Sequence, residues 1–240
     1  MVEQRSDLKQ KAELSVVSLG SSPLPIRIQI PQTLSARQLK ILQESSMEGR
    51  PLFFHEIDRT YKLYAYKEKE NNEEHMALIK NLGNGEDVPI RIHSSCVTAE
   101  TFHASNCDCG EQIQAALLTI EKEGCGGIIW LHQEGRGNGL KAKVQQLKLM
   151  MERGLDTVDA FEQAGYPKDK RNYAAAADIL KELGVKSVRV ITNNPDKIKQ
   201  IENLGITVTG RLPCEIPAFN EIVRKDLQAK KDKLGHMIHD

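Results

Sequence analysis

Alternation of apolar and polar positions marks the first part of the chain. PIRIQI (25–30), PLFFH (51–55), YKLYAY (61–66), HMALIKN (75–81) and VPIRIH (88–93) carry β-branched or aromatic residues at or near a period of two, which predicts strands. Between them, ARQLKILQESSMEG predicts a short helix and KEKENNEE a charged loop. From about residue 108 the period lengthens. Ile113, Ala116, Leu117 and Ile120 share one helical face, and Leu140, Val144, Leu147 and Met151 form a second apolar stripe. GGIIWLH (126–132) and SVRVIT (187–192) read as strands, and AAAADILKELG (174–184) and PDKIKQIENLG (195–205) as helices. Asn194 before Pro195 is an N-cap followed by proline at the first helical position. The closing NEIVRKDLQAKKDKLGHM is a highly charged helix. This order predicts an α/β (α+β) fold, a β-rich N-terminal part followed by a mixed α/β layer. Residues 1–22 read as a flexible leader, 23–87 as the β-rich region and 88–240 as the α/β region.

Composition narrows the function. A chain of 240 residues is one or two domains with room for a substantial core. Its 33 basic and 33 acidic residues balance, which argues against nucleic acid or a membrane surface as partner but leaves room for a local basic pocket. No apolar run approaches the ~20 residues of a membrane span, and MVEQRSDLKQKAEL lacks a signal-peptide core, so the expected location is cytoplasmic. In that reducing setting five cysteines point to metal ligands or reactive thiols before disulfides.

Candidate chemistry concentrates in HSSCVTAETFHASNCDCGEQ (93–112), where Cys96, Cys107 and Cys109 are spaced C-x10-C-x-C. Three thiolates plus a water suit a catalytic zinc, whose water can ionise near pH ~7. A structural site completed by His93 or His103, or buried free thiols, fit the same spacing. HQEGRGNGL (132–140) offers glycines that let backbone approach a ligand and Arg136 to grip a phosphate, or is an ordinary strand-to-helix turn. Thr192 and Lys197 in ITNNPDKIKQ can reach a nucleotide, or belong to a plainly capped helix. Asp169 and Arg171 in YPKDKRNY form an adjustable acid–base pair or a solvated loop.

As an ordered set, RIHSSC, NCDCGEQ, QEGRGNGL, DTVDA, Asp169-x-Arg171, TNNPDK and KLGHM resemble the GTP cyclohydrolase II family, zinc enzymes that open the guanine ring of GTP in riboflavin synthesis. The likeness runs from about Val88 to Met237; residues 1–70 show much less of it. It implies a GTP cyclohydrolase II-like fold with residues 88–240 as the catalytic region, and Zn2+ on Cys96, Cys107 and Cys109. It implies nucleotide contacts from Arg91, Ile92, His93, Ser94, Ser95, Gln112, Glu134, Gly135, Arg136, Thr157, Thr192 and Lys197. Asp169 falls at the family's general base, and Arg171 at the arginine proposed to attack the α-phosphate and release pyrophosphate. Mg2+ accompanies the triphosphate, and the family precedent is a homodimer. The implied reaction is zinc-assisted attack at C8 of the imidazole ring, then a second hydration that releases formate.

Four positions depart from the family pattern. Ser95 stands for an acidic residue, Asn106 and His132 for arginines, and Lys148 for a tyrosine 21 residues before the general base that is thought to help hydrolysis. Lys148 either replaces that tyrosine as a desolvated amine or faces solvent in a stripe with Lys141, Gln145 and Glu152. Loss of the phenol suggests ring opening with the formyl group retained. Other readings are the same chemistry on another purine nucleotide, and a non-catalytic nucleotide-binding relative.

Overall fold

The computed structural model describes residues 14–31 and 54–239. Strands β1 (Val16–Pro31), β2 (Phe54–Glu68), β3 (Glu74–Asn81), β4 (Val88–Ser94), β5 (Gly126–Leu131), β6 (Ser187–Ile191) and β7 (Thr207–Leu212) form one mixed sheet in the order β1-β2-β3-β5-β4-β6-β7. Helices among the described residues are α1 (Val97–Phe102), α2 (Cys109–Glu123), α3 (Gly139–Arg153), α4 (Thr157–Gln163), α5 (Ala174–Glu182), α6 (Pro195–Asn203) and α7 (Glu221–Leu234). None is long and apolar enough to cross a membrane.

The sheet has two characters. β1, β2, β3 and β5 are antiparallel one to the next, and β3 buries His75, Ala77 and Ile79 on one face, as alternation predicts. β5, β4, β6 and β7 are mutually parallel. Parallel strands are covered on both faces, and β4 is buried along nearly its whole length. On one side Ile90, Ile92, Ile129 and Val190 pack with Ala176, Ile179 and Leu180 of α5 and Ile201 of α6. On the other, Ile128 and Ile191 meet Ala116, Leu117 and Ile120 of α2, the helical face read from the spacing. Each such isoleucine, leucine or valine contributes roughly 1.5–3 kcal/mol by leaving water.

Several sequence expectations change. The 1–22 leader is shorter, because β1 begins at Val16, where Val16↔Glu68 pairing satisfies its backbone; residues 1–13 lie outside the described residues. The helix expected in ARQLKILQESSMEG also lies outside them. The boundary between residues 87 and 88 falls within one continuous sheet, since β3 pairs with β5. Strand β7 and helices α1 and α4 were not anticipated. The largest reversal is α3: Leu140, Val144 and Met151 are 54%, 58% and 70% exposed, while Ala142, Lys143 and Gln146 turn inward. Periodicity groups the residues of a face but does not say which face the fold buries.

Candidate metal centre and cleft

β4, β5 and β6 end on the same side of the sheet, and a cleft opens beyond their carboxyl ends, where open α/β sheets commonly place ligands. Chain leaving β4 is tied to β5 by the Ser95 N–H donating to Leu131 O at 2.9 Å. Cys96 then caps α1, its carbonyl accepting from the Ala99 and Glu100 N–H groups at 3.0 and 2.9 Å. Glu100 accepts the Cys96 N–H, a His93 Nε2 contact at 3.0 Å and the Trp130 Nε1–H at 2.8 Å. Glu134 accepts the Val97 N–H at 2.7 Å, pinning α1 to the β5 loop. Cys107 and Cys109 flank Asp108, the N-cap of α2, so Cys109 sits at the positive end of a 15-residue helix.

These elements gather the three thiols, with sulfurs all within 4.8 Å of one another and Cys96 Sγ 3.8 Å from Cys107 Sγ. A disulfide requires ~2.05 Å; two thiolates on a tetrahedral ion at ~2.3 Å lie about 3.8 Å apart. All three cysteines are free. Hydrogen bonds from Cys107 and then Cys109 lower the Cys96 thiol to about 3, while the same cluster pushes Cys107 up. Ionisation of one sulfur is thus favoured at the expense of its neighbours, and a soft divalent cation would satisfy all three as thiolates. The donor set therefore fits a zinc-type ion, with no fourth Cys, His, Asp or Glu ligand atom in the group among the described residues.

Behind the thiols is a buried polar frame. Lys230 of α7 donates to Asp108 at 2.7 Å and lies 2.6 Å from Asp226. Gln112 donates to Asp108 Oδ2 at 2.7 Å and accepts from Arg91, whose other terminal nitrogen donates to Ile191 O at 3.1 Å. Burial raises the Asp226 carboxyl even though Lys230 opposes it.

Arg91, His93, Ser94, Ser95, Gln112 and Glu134 line the cleft together with the thiols, as do Gly135, Arg136, Thr157, Arg171, Thr192 and Lys197. The cleft spans about 890 Å³ including the solvent it opens to. Ile92 is the exception among the expected nucleotide contacts: its side chain is fully buried in the core, and its carbonyl accepts from Lys197. Burial, then the charges of Arg91 and Arg171, push the Lys197 amine well down. Arg136 sits at φ 55° in the glycine turn and lies over the Phe161 ring at 5.8 Å. Gly137, at φ 78°, holds a backbone conformation that side chains rarely adopt, and a Cβ there would press on Arg171 N at 3.1 Å.

Asp169 and Arg171 form a forked ion pair, with Arg171 Nε 3.0 and 3.2 Å from the two carboxylate oxygens. Burial raises Asp169, but Arg171 outweighs it and holds the carboxyl below its usual value. Asp169 is not itself a lining residue; it reaches the cleft through Arg171. Lys148 is corrected: its side chain is 68% exposed, lies 3.9 Å from Glu152 and does not line the cleft. It lies on the outward side of α3, whose buried residues are Ala142, Lys143 and Gln146. Among the substituted positions, Ser95 lines the cleft, whereas His132 is exposed and stacks on Trp130 at 5.9 Å. Sequence reasoning missed Lys143, Asn193, Asp226, Lys230 and His236, all cleft residues. The TNNPDK and KLGHM segments carried the signals, for Asn193 and His236.

Another trio, Glu68, Glu73 and His75, also brings its ligand atoms within 4.8 Å. His75 Nδ1 accepts the His132 N–H at 3.2 Å, so Nε2 keeps its proton toward Glu68 at 3.3 Å. A protonated ring nitrogen has no lone pair for a metal.

A family model described as GTP cyclohydrolase II matches residues 55–213, starting well before Val88 and stopping short of α7 and KLGHM. Riboflavin biosynthesis protein RibBA of Bacillus mycoides is 44% identical over 75% of this chain and 45% of its own length. RibBA of Phocaeicola vulgatus is 43% identical over 75% and 44%, and that of Chlorobium phaeovibrioides 40% over 84% and 48%. The chain thus spans about half the length of these curated relatives. Among solved structures, RibBX of A. baumannii, a two-domain 3,4-dihydroxy-2-butanone 4-phosphate synthase, aligns over 84% of this chain and 41% of its own at 16% identity, with a TM-score of 0.36, too low to assign a fold.

Proposed function

This chain belongs to the GTP cyclohydrolase II family, and from that premise we propose that it is a zinc-dependent hydrolase that opens the imidazole ring of GTP, in the riboflavin pathway named for its RibBA relatives. The observation that carries the reading is the gathering of Cys96, Cys107 and Cys109 at one wall of a cleft whose other walls present Arg136, Arg171 and Lys197. Zinc on three thiolates supplies Lewis acidity that activates water near neutral pH.

The chain's own groups divide the remaining work. Arg136 and Lys197, neither paired with a carboxylate, attract the triphosphate, whose own oxygens carry the magnesium. Arg171 stands against the phosphates, oriented by Asp169, whose ionised carboxylate, set back from the cleft, serves as proton acceptor through an intervening water. Gln112 and Arg91 brace each other beside the thiols and position the base. Because Lys148 faces solvent, no side chain at the family's tyrosine position assists the second hydration. We therefore propose ring opening with the formyl group retained. The homodimer remains a proposal, tested by light scattering.

The function is tested by incubating the zinc-loaded protein with GTP and measuring formate, pyrophosphate and product mass. Ring-opened product without stoichiometric formate is expected. Stoichiometric formate would remove the retained-formyl reading, and unchanged GTP would remove the hydrolase reading.

A further inference from the structure

KLGHM, at the end of α7, has no task in the reaction just proposed. Gly235, at φ 66°, ends α7 in a left-handed turn, and the His236 N–H donates to Lys230 O at 3.0 Å. The Met237 N–H then donates to Asn193 O at 2.8 Å, in the loop after β6. These two bonds fold the tail onto the cleft, and the His236 side chain becomes part of its wall. Its Nε2 is sealed from solvent and has no hydrogen-bond partner. Native proteins rarely leave such an atom unsatisfied, and a functional site is a common reason when they do.

What surrounds this nitrogen indicates what it awaits. Lys230 from α7, Arg171 from the segment before α5, Arg136 from the glycine turn and Lys197 from α6 line the same cleft. Lys230 is neutralised by Asp108 and Asp226, and Arg171 by Asp169. Arg136 and Lys197 donate to backbone carbonyls, of Lys168 and Ile92, and neither has a carboxylate partner among the described residues, so the charged form of Lys197, disfavoured by burial, would be restored by an anion. Burial, reinforced by these four cations, lowers the His236 imidazole to about 3 and keeps it neutral, with one ring N–H to give. A neutral donor beside basic groups that lack a carboxylate partner suits an anionic oxygen.

We propose that His236 is a phosphate-contacting residue, its Nε2–H donating to an oxygen of the triphosphate held between Arg136 and Lys197. This rests on the nucleotide reading above and adds the C-terminal tail to it, from residues beyond the family-model match.

The test titrates inorganic triphosphate and guanosine separately into the zinc-loaded protein by calorimetry, for the parent, His236→Ala and His236→Gln. Melting temperatures check that both variants fold. His236→Ala should bind triphosphate about tenfold more weakly with guanosine binding unchanged, and His236→Gln, which restores an N–H near the same place, should recover part of the loss. Guanosine bound and triphosphate binding indifferent to His236 would overturn the contact while leaving the nucleotide reading in place. A loss confined to guanosine would also overturn it, moving His236 to the base. Triphosphate binding that depends on His236 in a protein that ignores guanosine would keep the contact and defeat the nucleotide reading instead.

Discussion

The thiol trio at the cleft and the Glu68, Glu73 and His75 trio at the β2–β3 turn meet the same test of proximity, each with ligand atoms within 4.8 Å. They differ in what already occupies their lone pairs. In the hairpin, His75 Nδ1 takes a backbone N–H and Glu68 takes His75 Nε2 and the Asn71 amide at 2.9 Å, so His75 and Glu68 are satisfied by protons they already have. At the cleft, the thiols have chiefly one another, and their ionisation is divided unequally among three sulfurs. Proximity selects candidates; the partners each lone pair already has separate a candidate metal site from a capped turn.

The widest separation between the two should come from removing one ligand on each side. Cys107→Ser should take bound zinc from one ion per chain to none and abolish turnover, read by elemental analysis and a GTP assay. Lys230→Met comes next, because it leaves Asp108 and Asp226 buried without their cation. Such a break costs about 3–5 kcal/mol, read from denaturant unfolding, and metal affinity should fall about 10–100-fold through Asp108, which lies between two ligands. His75→Ala should cost about 1–3 kcal/mol of stability through lost hydrogen bonds and leave the zinc content unchanged; lost zinc would erase the distinction drawn above. Smallest of all, Lys148→Ala should shift stability by under ~0.5 kcal/mol and leave turnover unchanged, since its partner Glu152 is equally solvated.

Much of this fold can be read in the chain. Alternation located β3 and β4, and Asn194 caps α6 through its side chain, which accepts the Asp196 N–H at 2.9 Å. The thiol trio was visible because C-x10-C-x-C places one ligand at the start of α1 and two around the start of α2. What could not be read depends on tertiary packing. Lys143 and Gln146 turn inward on α3 because α3 lies against α4 and a polar cleft, so its apolar stripe is left outside, the reverse of an ordinary amphipathic helix. Lys230 and Asp226 look like members of a charged surface helix until α7 is seen lying against the cysteine loop. His236 becomes a cleft residue only through the turn at Gly235.

The central claim is that three cysteine sulfurs hold an ion whose remaining position opens on the cleft. X-ray absorption at the zinc edge of the purified protein tests it directly. The account predicts one zinc per chain with three sulfur neighbours at ~2.3 Å and one oxygen or nitrogen at ~2.0 Å. A shell of four sulfurs, a shell of nitrogen and oxygen alone, or protein that binds no zinc while its three thiols titrate freely, would contradict it.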